Sequence, residues 1–517
     1  MALRTRSLLA AAAVVVATTG VALVPAGAGT GQTPVGTISE FSAGTGAEPY
    51  DATVGRDGAI WFTDYGTNQI GRIDPTTKLV STFADTGGGG PLGITVGPDG
   101  AIWFADSTAN KLGRIDPKTH GVTHRSTGTL APGGIVTGPD GALWFTIANA
   151  FKVGRMNAAT GAVTTVATVS DPGSYPYIAV GPDRNLWITE YAAGKILRLN
   201  PTTHARTEFT IPTASSGPTE ITSGPGGALW FSEYGSVGLG GNGQKLGRIT
   251  TSGHITEYLT PTPASGPWGI AAGPDGAIWF AEFSTGKIGR LTAGGTFAEF
   301  AYAGSGPAGI VAGPDGAMWF PDYTLNAIAR ITTGLPGRPT VVTVSSGAAS
   351  VSVRWNAPAD RGANAIIRYT VRATPGGRTC VTALLSCRVT GLTNGVAYRF
   401  TVRATNRTGS GPPSATSAKA TPHALPSAPL NLWVRIPVAG HVQMTWNAPK
   451  VTGGLPLTYE VRINDLTAGT WSAWLPVSVR VFNHGGMIHA HSYSIVVRAR
   501  NHSGAGPSAN ATYHQFP

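Results

Sequence analysis

The sequence predicts an all-β protein: a seven-bladed β-propeller followed by two β-sandwiches. Three observations predict it. Seven tryptophans (Trp61, Trp103, Trp144, Trp187, Trp230, Trp279 and Trp319) recur at gaps of 42, 41, 43, 43, 49 and 40 residues. Between them, short apolar runs alternate with Gly, Pro, Asp and Asn clusters, and helical periodicity is absent. After Gly334 the repeat stops, and a second pattern runs through the rest of the chain in two copies. A repeat of about 40 residues built from β-forming runs marks a propeller blade, whose faces are buried only by stacking on neighbours.

One repeat shows why each element forms. Pro91 to Val96 is followed by the turn Gly97-Pro98-Asp99-Gly100, then by Ile102-Trp103-Phe104-Ala105-Asp106. A second turn, Ser107 to Asn110, leads into Lys111-Leu112-Gly113-Arg114-Ile115. Such runs read as antiparallel strands joined by hairpins, and Pro-Asp-Gly presets the tight turn between two of them. An arginine follows the tryptophan by 11 residues in six repeats (Arg72, Arg114, Arg155, Arg198, Arg290, Arg330). In the fifth it is Arg248, displaced by a glycine-rich insertion at Ser236 to Gly243. A fourth strand closes each repeat, as at Ile255 to Tyr258 and Phe297 to Phe300, but none follows Arg330. Its look-alike, Ile38-Ser39-Glu40-Phe41, sits at the other end, so the N-terminal strand is expected to complete the last blade and close the ring.

The propeller is assigned to residues 29–335 and the two sandwiches to 336–422 and 425–517. In the first sandwich, Val351 to Trp355 alternates as a strand, and Leu392, Tyr398 and Asn406-Arg407-Thr408-Gly409 follow. Trp446, Tyr459, Tyr493 and Asn501-His502-Ser503-Gly504 repeat these landmarks, without the leucine. The order resembles the fibronectin type III domain, which implies a core tryptophan and a tyrosine hydroxyl bonded to backbone at a corner. Residues 1–28 read as a secretory signal: Arg4 and Arg6, an apolar Leu8 to Val24, and small residues at Ala26-Gly27-Ala28. That stretch is short for a membrane span and no second one occurs, so a secreted protein is expected.

Charge is unevenly placed. Residues 29–335 hold 18 Lys+Arg against 23 Asp+Glu, a net of −5. Residues 336–517 hold 17 against 3, a net of +14. The basic tail either attracts anionic wall polymers or acidic polysaccharide, or simply keeps a β domain soluble. Export and the lack of a binding motif argue against nucleic acid. The only cysteines, Cys380 and Cys387, are expected to form a disulfide across a hairpin or loop.

Gly-Pro-x-Gly-Ile, then Asp-Gly-x-(Ile/Leu)-Trp-Phe-x-(Asp/Glu), then Ile-Gly-Arg-(Ile/Leu), over about residues 36–332, resembles the virginiamycin B lyase family. The resemblance implies seven blades and ring opening of streptogramin B antibiotics by elimination with a magnesium ion. It implies a histidine after the proline in each of the last two blades and a glutamate just before the second proline. This chain has Trp268, Ala308 and Gly306 at those positions. Elimination needs a base for a carbon-bound proton and an acid or metal for the developing enolate, and these residues supply neither. No residue is assigned as catalytic or as a metal ligand; magnesium is expected only if the protein is lyase-like.

Two further sets of residues stand out. The position three after the tryptophan is acidic in six blades (Asp64, Asp106, Glu190, Glu233, Glu282, Asp322). These carboxylates either cap turns or pair with the recurring arginine; a cation-binding ring near the axis is the other reading. Two after the proline the repeat has Gly93, Gly134, Gly269 and Gly309, but Asp51 in blade one and Glu220 in blade five. With Tyr50, Tyr177 and Trp268 these departures are the ligand-binding candidates, since aromatics with a few carboxylates suit sugars or cyclic peptides. The expected function is a monomeric secreted binder of an extracellular small molecule, glycan or cell-wall polymer. The alternatives are an active streptogramin-type lyase or a polysaccharide hydrolase with a rebuilt site.

Overall fold

The computed structural model describes residues 33–514 apart from 86, 88, 149, 151, 171–175 and 236–242, so the proposed leader and most of the blade-five insertion lie outside the described residues. The chain divides into two compact units, one around the propeller and one around the sandwiches.

Seven four-stranded antiparallel sheets make up the first unit. Blade one is typical: Pro49–Val54, Ile60–Asp64, Gln69–Ile73 and Val80–Ala84 pair in chain order. The first strand of each blade packs on the first strand of the next, and Val311–Ala312 of blade seven returns to Pro49–Val54, so these strands line the axis. The ring closes as the sequence predicts. Ile38–Ser42 pairs antiparallel with Ala327–Ile331, from Ile38 opposite Ile331 to Ser42 opposite Ala327. Ring closure replaces an exposed strand edge with a complete ladder.

The tryptophans hold adjacent blades together. Trp61, Trp103, Trp144, Trp187, Trp279 and Trp319 are each fully buried. The core is correspondingly divided into interfaces, as where Trp103, Phe145 and Ile135 meet between blades two and three. In blade six Trp279 Nε1 donates to Asp275 Oδ1 at 3.0 Å, and Arg290 Nε donates to Asp275 Oδ2 at 2.7 Å. The same trio recurs at Asp57, Asp99, Asp140 and Asp315. This corrects one expectation: the recurring arginine pairs with the turn aspartate, not with the carboxylate three after the tryptophan. Those carboxylates end second strands, and Asp64 and Asp322 cap the turns that follow. Asp64 Oδ1 accepts from Glu48 N at 2.8 Å and Thr67 N at 3.2 Å. In blade five the turn is Gly224-Pro225-Gly226-Gly227, with no aspartate, and Trp230 Nε1 is buried without a partner. Asp275→Ala would leave a second propeller indole N–H in that state, among the described residues. We expect it to cost about 1–3 kcal/mol by chemical denaturation, the penalty for an unsatisfied buried donor.

The second unit holds two sandwiches. In the first, Thr340–Gly347, Ser350–Asn356 and Ser386–Thr390 face Arg368–Thr374, Thr379–Thr382 and Arg399–Thr405 over a core of Trp355, Tyr369, Val371 and Phe400. Tyr398 Oη accepts from Thr393 N at 3.1 Å, the corner bond the resemblance implies. In the second sandwich Tyr493 Oη accepts from Ile488 N at 2.8 Å, and Met487 is buried where the leucine is missing. A disulfide joins Cys380 to Cys387, linking the edge strands of the two sheets of the first sandwich. Some of the basic tail is already engaged: Arg498 lies 3.8 Å from the Trp474 ring centre, Arg462 lies 4.3 Å from that of Trp471, and Glu460 pairs with Arg498. No helix among the described residues is long and apolar enough to cross a membrane.

Candidate functional site

The axis is narrow where the first strands begin. A side chain added at Gly93 would lie 3.1 Å from the Gly134 Cα, and one at Gly134 would lie 3.2 Å from the Tyr177 Cα. One added at Gly309 would lie 2.8 Å from Asp51 Oδ1 and 3.2 Å from Glu220 Oε1. Glycine at Gly309 therefore makes room for the two carboxylates, which reach the same place from blades one and five. Each also tethers the next blade. Asp51 Oδ2 accepts from Ile94 N at 3.2 Å, and Glu220 Oε2 accepts from Ile270 N at 2.9 Å. Glu220 Oε1 is buried with no partner.

Burial dominates the electrostatics. It pushes the Asp51 carboxyl up to about 7, against the pull of N–H donors from Ala52 and Ile94. Glu220, 8% exposed, is raised well above the carboxylate range by burial and then by Asp51. Like charges in one poorly hydrated spot ionise together only at a cost, so the pair holds a proton into the neutral range.

An aromatic group adjoins this pair. The Tyr50 and Trp268 rings meet edge-on with centres 6.2 Å apart, and Trp268 Nε1 donates to Tyr177 Oη at 3.2 Å. The Tyr50 and Tyr177 hydroxyls lie near one another, and burial raises both phenols. Tyr50, Tyr177 and Trp268 are each half-buried as whole residues. All five sequence candidates thus fall in one cluster.

Tyr177 follows Pro176 in the sequence, as Tyr50 follows Pro49 and Trp268 follows Pro267. In the structure Tyr177 N donates to Thr189 Oγ1 at 3.0 Å, as Asp51 N does to Thr63 Oγ1 and Gly134 N to Thr146 Oγ1. It therefore holds the axial register of Asp51 and Gly134. Five other blades have a bulge in the first strand that blade four lacks. The signal is in the sequence: Pro176 precedes Gly181 by five residues, where Pro49 precedes Gly55 by six. Two further rings were not anticipated. Tyr234 and Phe283 flank Trp268, with ring centres at 5.2 and 5.8 Å. Both lie four residues after a blade tryptophan, where Tyr65, Tyr191 and Tyr323 also fall.

Magnesium is the ion the resemblance implies. Ala308 is a fully buried methyl group, Trp268 carries an indole, and no blade has a histidine after its proline. A side chain at Gly306 would meet Thr324 Cγ2 at 2.7 Å, so even the glutamate position is closed off locally. The residues present do not fit that magnesium site.

Fold and repeat together define a seven-bladed propeller with an axial aromatic–carboxylate cluster. The chain belongs to the virginiamycin B lyase family, whose model matches residues 36–241 and 162–353. The fibronectin type III domain model matches residues 336–419. Among solved structures, a streptogramin B lyase is 34% identical, covering 57% of this chain and 97% of that one with a TM-score of 0.52. A catalytically inactive histidine-to-alanine variant of virginiamycin B lyase from Staphylococcus aureus, with quinupristin, is 36% identical over 57% of this chain and 98% of that one, TM-score 0.52. Exoglucanase B of Cellulomonas fimi is 31% identical over 188 residues, 35% of this chain. The chain spans 17% of the length of that curated relative.

Proposed function

We propose that the axial cluster binds an extracellular ligand, a glycan or a peptide, and that the family's elimination chemistry has been lost from this propeller. The observation that carries the reading is the convergence of Tyr50, Tyr177 and Trp268 on Asp51 and Glu220 at a place where family-type donors are replaced by Trp268, Ala308 and Gly306. Half-buried rings offer stacking faces, and carboxylates offer directed hydrogen bonds to hydroxyl or amide groups. The inactive histidine-to-alanine relative crystallised with quinupristin illustrates that this scaffold holds a ligand without turnover. Residues 1–28 act as an export signal in this reading. The boundaries 29–335, 336–422 and 425–517 delimit the binding domain and two basic spacers that approach wall polymers. The exoglucanase likeness agrees with an extracellular glycan setting.

A second reading rests on the carboxylate pair: a protonated and an ionised carboxylate side by side are the parts of an acid–base hydrolase. Sedimentation with peptidoglycan and insoluble polysaccharides at low and high salt separates the possibilities. We expect salt-resistant retention that falls about tenfold or more in Trp268→Ala, as for a hot-spot aromatic, with unchanged folding. Retention lost in salt alone would assign binding to the basic sandwiches, and soluble sugar release would favour the hydrolase.

A further inference from the structure

Blade two breaks the repeat at a second place, away from the axis. In blades four, five and six the outer strand carries a glutamate at one register position: Glu208 opposite Leu197, Glu257 opposite Gly247, Glu299 opposite Gly289. Each takes the ammonium of the third-strand lysine, with Lys195, Lys245 and Lys287 at 2.8, 3.3 and 3.1 Å. Blade two has His124 at that register, opposite Gly113. Its lysine, Lys111, donates instead to the Gly87 carbonyl at 2.5 Å.

Two aspartates surround the histidine. Asp85 follows the outer strand of blade one and contacts His124 Nε2 through Oδ1. Asp106 ends the second strand of blade two and accepts from Gly89 N through Oδ1 at 2.6 Å. One donor atom from each of Asp85, Asp106 and His124 lies within 4.8 Å of the other two. Asp85 and Asp106 are 4% and 0% exposed, and Oδ2 of each is buried without a hydrogen-bond partner among the described residues. Two unpaired carboxylate oxygens in one dry place are costly unless a cation neutralises them. The positions the resemblance implies for magnesium chemistry, by contrast, are Trp268, Ala308 and Gly306, none of them in this cluster.

We propose that Asp85, Asp106 and His124 hold a divalent transition-metal ion between blades one and two. One imidazole and two carboxylates form a mixed N,O donor set that suits Zn²⁺ or Mn²⁺ better than Mg²⁺. Three protein ligands leave at least one coordination position for water or a ligand oxygen. The His124 side chain, 15% exposed, is the route of entry. The ion would pin the inter-blade seam that elsewhere is held by the register glutamate accepting from the preceding blade, as Glu257 does from Thr213 N and Glu299 from Thr262 N. The rival arrangement is metal-free: the His124–Asp85 contact alone, with Lys111 as the nearby cation.

The full chain without an affinity tag, stripped with chelator, would be titrated separately with Zn²⁺ and Mn²⁺ by calorimetry and elemental analysis. We expect one ion per chain and a rise in Tm on metal addition. Asp106→Asn and His124→Gln should each weaken binding about tenfold or more and abolish the Tm rise. His491→Gln, which removes the other histidine–aspartate pair, should change neither. His124→Glu copies blades four to six, so it tests the site even if the other variants fold poorly; it should fold normally and lose Zn²⁺ preference. No binding by the folded wild-type chain, or binding that survives His124→Glu and Asp106→Asn unchanged, overturns the proposal.

Discussion

Deleting the closing strand, residues 38–42, is expected to unfold the propeller under conditions where the full chain is native. Five residue pairs along Ala327–Ile331 lose their partners at once. The Phe41 ring, stacked on Trp319 with centres 5.7 Å apart, is removed with them, and the apolar seam around Ile60, Phe62 and Ile328 opens to water. Truncating a core aromatic alone costs about 3–5 kcal/mol, and a domain's total stability is about 5–15 kcal/mol. Adding the broken ladder leaves little margin. Differential scanning calorimetry should show the propeller transition gone while the sandwich transition persists. Phe41→Ala, a milder lesion in a half-buried ring, should lower the same transition without abolishing it.

The contribution of the Asp51–Glu220 pair to propeller stability is also expected to fall as pH rises through the acidic range. A carboxyl whose folded pKa lies above its unfolded value binds more protons in the native state. Stability is then full below the unfolded pKa and is lost as pH climbs to the folded one. For Asp51 the window runs from the ordinary aspartate range to about 7, and Glu220 extends it upward. At about 1.4 kcal/mol per unit the Asp51 shift sets an upper bound near 4 kcal/mol, and about 2 kcal/mol is expected once the site relaxes. Denaturant midpoints from pH 4 to pH 8 measure it. Glu220→Gln keeps an acceptor for Ile270 N while removing a charge, so it should flatten the decline and raise stability at pH 8. A variant whose profile matches wild type would show that the pair is not jointly charged.

Much of the fold was legible because it rests on repetition. The tryptophan period reports the interfaces directly, since each indole must be buried against the next blade. Ile38 to Phe41 announced closure because it copies a strand that blade seven lacks. The site was legible for a complementary reason: Asp51 and Glu220 stand where four blades need glycine for want of space at the axis. Partners across the turns were not legible. The turn aspartate and the carboxylate three after the tryptophan offer the same chemistry to Arg290, and only backbone geometry selects Asp275. The register of Tyr177 depended on a missing bulge, one residue in length, which the proline–glycine spacing shows only when blades are counted against each other. Tyr234 was hidden because its contact with Trp268 crosses from blade five to blade six, and Phe283 because it lies in the turn after the second strand of Trp268's own blade.

The most direct test of the account is to incubate the purified full chain with a streptogramin B antibiotic and Mg²⁺. The antibiotic is then followed by chromatography with tandem mass spectrometry, since elimination opens the ring without changing its mass. With Trp268, Ala308 and Gly306 at the positions that would carry the base and metal donors, the cyclic compound should be recovered unchanged. A linear product formed by the wild-type chain and lost in Glu220→Gln would show that an axial carboxylate has taken over the chemistry, and would contradict the account.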